Sequence, residues 1–177
     1  MVYEKIWYSR VESSPELTGL LKGFPEAWSF RDVNGDFIPD FVLGRVGPGS
    51  NPIEQDDPPI TIMLGDSNYR FVPADTSDLI PGGWINDFVF IDSDKDNLVE
   101  IVAIDHGREI AYDPIYFSSL GVYEFDLEGA VFLDRTNETI GNEAGFYHNS
   151  ANAADLDLDG IRDFFVAQLG PYGFRIF

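Results

Sequence analysis

Asp155-Leu156-Asp157-Leu158-Asp159-Gly160-Ile161-Arg162-Asp163, followed at once by Phe164-Phe165-Val166-Ala167, is the stretch on which the reading of this chain turns. Carboxylates stand at positions 1, 3, 5 and 9 of the nonapeptide, and a glycine stands at position 6. The pattern recurs as Asp32-Val33-Asn34-Gly35-Asp36-Phe37-Ile38-Pro39-Asp40 and as Asp92-Ser93-Asp94-Lys95-Asp96-Asn97-Leu98-Val99-Glu100. Side-chain oxygens at positions 1, 3, 5 and 9, with the backbone carbonyl at position 7, converge on one hard cation from several directions. Calcium, which accepts roughly 6 to 8 oxygens at flexible angles, suits such a loop better than magnesium, which demands an octahedron and keeps more of its water.

The three loops begin at residues 32, 92 and 155, a spacing of 60 and then 63 residues, and their surroundings repeat with them. Each is followed by a short apolar run: Phe41-Val42-Leu43-Gly44, Ile101-Val102-Ala103-Ile104 and Phe164-Phe165-Val166-Ala167. Runs of that kind fit strands covered on both faces. Four and two residues before each loop stand Trp28 and Phe30, Phe88 and Phe90, Ala151 and Ala153, a period of two that belongs to a strand. Hairpins follow, with Ile60–Leu64 and Tyr69–Pro73 flanking Gly65-Asp66-Ser67-Asn68, and Val122–Phe125 and Val131–Asp134 flanking a turn at Leu127-Glu128-Gly129. Each unit therefore reads as four strands with the acidic loop between the first and second, and a period of this size signals an array of such units.

The third unit stops at Gly173–Phe177, which matches a third strand, while Tyr3–Val11 ahead of the first unit has the character of a fourth. The expected organisation is one segment over 1–177, with an N-terminal strand and linker at 1–28 and repeats at 29–83, 84–144 and 145–177, the last lacking its outer strand. Helix signals are few, the best being a single turn at Ser14-Pro15-Glu16-Leu17. Gly47–Pro59, with four prolines, and Asp105–Pro114 are loops between second and third strands, where binding surfaces often form.

The composition narrows the function classes. Of 31 acidic residues among the 177, the nonapeptides hold 11, so about half of the net charge of −20 is placed where cations would sit. Three calcium ions would bring it to −14, still acidic enough to oppose contact with nucleic acid or an anionic membrane. No run approaches transmembrane length, and Met1–Arg10 lacks the apolar core of a signal peptide. Absence of cysteine excludes disulfides, thiolate zinc sites and cysteine nucleophiles. Calcium loops of moderate affinity fill where calcium is plentiful, so an extracellular, periplasmic or cell-surface setting is expected.

With loops, flanking strands and period together, the chain resembles the FG-GAP and VCBS-type repeats of integrin-alpha-like β-propellers. The resemblance covers nearly the whole chain. It implies an all-β, propeller-type array of about three four-stranded blades, part of a larger propeller or one closed by oligomerisation, since closed propellers have about 4 to 8 blades. It implies up to three Ca2+ ions. Site one would use Asp32, Asn34, Asp36, the Ile38 carbonyl and Asp40; site two Asp92, Asp94, Asp96, the Leu98 carbonyl and Glu100; site three Asp155, Asp157, Asp159, the Ile161 carbonyl and Asp163. The position-6 glycine is kept only as Gly160, while Asn97 tolerates positive φ better than Phe37 does, so site three is the firmest and site one the weakest.

Competing readings separate on particular residues. EF-hand and dockerin-like loops need a carboxylate at position 12, where this chain has Leu43, Ala103 and Val166. A lone acidic turn needs no metal, but three copies are not a lone turn. His106 and His148 are expected at a surface or edge, and no Gly-x-Ser-x-Gly elbow accompanies the serines. Most aromatics read as core, with Tyr112, Tyr116, Phe117 and Tyr147 set apart as candidates for a glycan or protein surface. Asn137-Glu138-Thr139 fits the N-glycosylation triplet.

The expected function is a calcium-stabilised extracellular binding or adhesion module recognising protein or glycan. Two alternatives stay open: a non-catalytic segment of a secreted polysaccharide-acting enzyme, and a structural scaffold that closes by self-association. No residue is singled out as catalytic, and the question of enzymatic activity stays open, with the balance against it.

Overall fold

A computed structural model describes residues 25–45, 60–68, 70–77, 79, 84–106, 120–141, 147–169 and 173–177. The expected strand at Tyr3–Val11, the turn at Ser14–Leu17, the loop Gly47–Pro59, most of Asp105–Pro114, and Tyr112, Tyr116 and Phe117 lie outside the described residues. What is described is all-β, in three antiparallel sheets.

Sheet one runs in the order β1 (Pro25–Arg31), β2 (Asp40–Arg45), β3 (Ile60–Gly65), β4 (Phe71–Pro73). Sheet two repeats it with β5 (Ile85–Ile91), β6 (Glu100–Asp105), β7 (Gly121–Asp126) and β8 (Val131–Asp134). Sheet three has β9 (Tyr147–Ala154), β10 (Asp163–Leu169) and β11 (Phe174–Ile176), with no fourth strand among the described residues. A four-residue helix, α1 (Thr136–Thr139), follows β8 and carries the glycosylation triplet. It was not legible as a helix, because only one turn forms and its footing is tertiary: the Val122 amide donates to Thr136 Oγ1 at 3.0 Å and the Arg135 amide to the Val122 carbonyl at 2.8 Å.

The register repeats with the sequence. Arg31 pairs Asp40, Ile91 pairs Glu100 and Ala154 pairs Asp163, so each acidic loop is closed by its ninth residue and the residue just before its first. Irregular pairing falls at the equivalent Pro25/Ala27 and Ile85/Asp87 steps.

The apolar runs were expected to be covered on both faces, and β6 is buried along its whole length. Its alternation divides two cores. Ile101 and Ala103 enter a cluster with Val42, Ile62, Phe125 and Phe132, between sheets one and two. Val102 and Ile104 enter another with Val122, Phe164 and Val166, between sheets two and three. Sheet two is thus the middle of a face-to-face stack, and full burial of each such side chain is worth about 1.5–3 kcal/mol relative to exposure.

The first strands are stitched side by side where sheets two and three meet. Asp87 Oδ2 accepts the Ala151 amide at 3.1 Å, and Asn86 Nδ2 donates to the Asn149 carbonyl at 3.0 Å. Elsewhere the aromatic-as-core reading needs correcting. Trp28 is 67% exposed and Phe30 38%: they face outward from sheet one, where Phe30 packs beside Phe41 and Phe71 with ring centroids at 5.0 and 6.3 Å. The histidines correct in the other direction: His106 and His148 are buried, His106 against the Trp84 ring at 5.0 Å between centroids. Burial holds the His148 imidazole below its ordinary pKa.

Candidate metal centres in the acidic loops

The three loops fold onto themselves in nearly the same way, through backbone amides donating to their own carboxylates. The position-5 amide donates to the position-3 side chain at 3.1 Å in each loop: Asp36 to Asn34, Asp96 to Asp94, Asp159 to Asp157. The position-7 amide donates to the position-5 carboxylate: Ile38 to Asp36 at 2.8 Å, Leu98 to Asp96 at 2.7 Å, Ile161 to Asp159 at 2.7 Å. The position-6 amide donates to Oδ2 of position 1: Phe37 to Asp32 at 2.8 Å, Asn97 to Asp92 at 3.2 Å, Gly160 to Asp155 at 3.0 Å. These bonds turn the side chains of positions 1, 3 and 5 toward one another, a costly arrangement for like charges without a cation.

Such wiring needs the chain to turn left-handed twice. Position 6 has positive φ in every loop, as expected: 64° at Phe37, 74° at Asn97 and 88° at Gly160. Position 4 does so as well, with Gly35 at 77° and Lys95 and Leu158 at 64°. Only Gly35 hinted at this in the sequence. Lys95 and Leu158 are residue types for which the left-handed region is unfavourable by about 1–2 kcal/mol, and the loop bonds hold them there.

The outcome differs between loops. In loops two and three, single carboxylate oxygens of Asp92, Asp94 and Asp96, and of Asp155, Asp157 and Asp159, lie within 4.8 Å of one another. In both, Oδ1 of position 1 is shielded from solvent and accepts no hydrogen bond. A solvent-shielded carboxylate oxygen without a donor is unfavourable unless a cation supplies the missing charge. The donor set is all oxygen, which suits a hard divalent ion. Loop one differs at the same atom. Asp32 Oδ1 accepts the Gly35 amide at 2.8 Å, and Asn34 Nδ2 donates to Asp36 Oδ2 at 3.2 Å, so loop one satisfies its oxygens internally.

Position 9 does different work from positions 1, 3 and 5. Its carboxylate accepts the amide of position 2 in every loop: Asp40 from Val33 at 2.8 Å, Glu100 from Ser93 at 3.0 Å, Asp163 from Leu156 at 2.8 Å. Glu100 also accepts from the Ser93 hydroxyl. Asp40 is buried and ties its loop to sheet one through the Gly65 amide at 2.8 Å. Burial pushes the Asp40 carboxyl up to about 6 against the pull of those two amides, and burial raises Glu100 too. The ninth residue is thus the clasp of the loop. Of the fifteen positions singled out in the sequence, the structure gathers the side chains at positions 1, 3 and 5 of loops two and three, while Ile38, Leu98 and Ile161 are tied into the same turn by their amides.

One other concavity lies nearby. A cleft of about 310 Å³ between β1 and β5 is lined by Glu26, Trp28, Ser29, Asn86 and Asp87, but Asn86 and Asp87 are already engaged in holding β9. No helix among the described residues is long and apolar enough to cross a membrane. No protein-family model, curated protein or solved structure matches the chain.

Proposed function

We propose that this chain is a calcium-stabilised, propeller-type binding module that works outside the cell and recognises protein or glycan. One observation carries the reading: two carboxylate trios, Asp92/Asp94/Asp96 and Asp155/Asp157/Asp159, each with a solvent-shielded oxygen that no donor satisfies. Calcium would be held by those side chains with the Leu98 and Ile161 carbonyls, and would neutralise carboxylates that otherwise repel. Since the unfolded chain lacks the sites, binding adds to folding stability. The face-to-face stack of meander sheets, each with its acidic loop between first and second strands, supports the FG-GAP/VCBS-type resemblance and the propeller reading. Recognition would then fall to surface loops held by this scaffold.

Calorimetric titration of the chelator-stripped protein with calcium tests the metal reading directly. Two binding events are expected, one lost in Asp94→Ala and the other in Asp157→Ala, with Asp36→Ala removing neither. A flat titration would sink it. Glycan-array binding by the calcium-loaded chain tests the recognition role.

A further inference from the structure

Lys95 stands at position 4 of the second loop, between two members of that loop's carboxylate trio, Asp94 and Asp96. Its ammonium reaches across to the neighbouring loop. Nζ donates to the Asp159 carbonyl at 3.1 Å, and a Cβ built on Gly160 would lie 3.8 Å from the same nitrogen. A cation from loop two thus rests on the peptide that joins positions 5 and 6 of loop three.

The wiring of the second loop fixes the backbone that sends it there. Just after Lys95, the Asp96 amide donates to Asp94 Oδ1 at 3.1 Å and the Asn97 amide to Asp92 Oδ2 at 3.2 Å. Lys95 itself is left-handed, with φ of 64°, a conformation unfavourable for a residue that carries a Cβ. Position 4 is also where loop one meets loop two, since a Cβ on Gly35 would lie 2.6 Å from Leu98 Cδ2. Gly35 has no side chain, so loop two receives no charge from that position of loop one.

The peptide under the ammonium leads directly to the third trio. Its carbonyl accepts from Lys95, and its N–H, that of Gly160, donates to Asp155 Oδ2 at 3.0 Å. A charge-assisted bond to the carbonyl polarises the peptide and strengthens the bond that its N–H makes to the carboxylate. Asp155 is the residue whose other oxygen, Oδ1, is shielded and accepts no hydrogen bond, and it lies in the trio with Asp157 and Asp159. Through space and through this peptide, the ammonium acts in one direction. It offsets negative charge that a calcium ion would otherwise meet in full.

We propose that Lys95 is a built-in counter-charge for the third loop, and that it lowers the affinity of that site for calcium. The proposal rests on the calcium reading of the loops and adds a cause for their unequal filling. Loop three fills at a higher calcium concentration than its own residues would set, while loop two, beside Gly35, is not restrained in this way. Lys95 is exposed, which weakens its field, but the ion it opposes carries two charges. The expected effect on affinity is roughly three- to tenfold.

A calcium-buffered titration of the full, chelator-stripped chain followed by amide NMR tests this. The Gly160 amide reports on loop three and the Asn97 amide, its counterpart, on loop two. Lys95→Met keeps the apolar stem and removes the charge, so the Gly160 midpoint should fall roughly three- to tenfold while the Asn97 midpoint moves less than about twofold. Lys95→Arg keeps the charge and should titrate like the wild type at both amides. In about 0.5 M potassium chloride the difference between Lys95→Met and wild type should shrink, because the ammonium is screened. A Gly160 midpoint that is unchanged or raised in Lys95→Met overturns the proposal. So does an equal fall at both amides, or Lys95→Arg behaving like Lys95→Met. A wild type in which neither amide responds to calcium sinks the calcium reading itself, a result distinct from two responsive sites indifferent to Lys95.

Discussion

Replacing Asp155 by asparagine isolates the charge of one carboxylate while leaving its turn intact. The side chain keeps an oxygen to accept the Gly160 amide, now bonded at 3.0 Å, and loses the negative charge on the oxygen that has no donor. At free calcium about 100 times the dissociation constant, one site stabilises the fold by about 2.7 kcal/mol. For a chain of this size about 1 kcal/mol moves Tm by roughly 2–4 °C, so one site is worth roughly 5–11 °C and two sites about twice that. Asp155→Asn should therefore halve the difference in Tm between calcium and excess chelator. In chelator its sign should reverse: removing one of three crowded carboxylates relieves repulsion, so Tm stays level or rises slightly. Differential scanning calorimetry in both buffers reads both arms. If the variant loses the same Tm in chelator as in calcium, Asp155 is a turn residue and the metal argument fails.

Further outcomes follow from other residues. Asp40 titrates near 6 in the fold against 3.8 as its ordinary value, so its contribution is fully present below pH 3.8 and is lost as pH rises through about 6. Chelated protein should therefore lose up to about 3 kcal/mol of stability across that window through Asp40, and urea unfolding of Asp40→Asn should show a correspondingly flatter profile. His148 acts oppositely: its depressed pKa is a stabilisation present above pH 6.5 and lost on acidification, so His148→Gln should remove that loss. Gly65→Ala places a Cβ 2.5 Å from the Pro39 carbonyl oxygen, at the residue whose amide holds Asp40. It should destabilise by about 1–3 kcal/mol in chemical denaturation. Ala130 has φ of 54° in the β7–β8 turn and is exposed, so Ala130→Gly should raise stability by about 0.5–1 kcal/mol in the same assay.

Strand positions were legible because two local signals agreed. Period-two alternation before each loop and apolar runs after it can be satisfied only by strands, and the loops between them are closed by short-range bonds spanning two to seven residues. A difference between loop one and the other two was legible in the sequence at Phe37 and Asn34. Phe37 does adopt the left-handed conformation that argued against it, and what further distinguishes loop one is the Gly35 amide taking the oxygen left bare in loops two and three. The clasp at position 9 was not legible, since nothing local in the sequence announces that this carboxylate accepts the amide of position 2.

By itself, then, the sequence determined the all-β repeat, the sheet connectivity and the acidic loops, because these rest on contacts between residues close along the chain. Only the tertiary structure decided which faces are covered. Val102 and Phe165 hold the same repeat position and both are apolar, yet one lies between two sheets and the other is open. Trp28 and Phe88 differ in the same way, and His106 and His148 are buried by neighbours that no local pattern announces. Burial depends on what stands opposite a side chain, and in a stack of like sheets that is set by each sheet's place in the row.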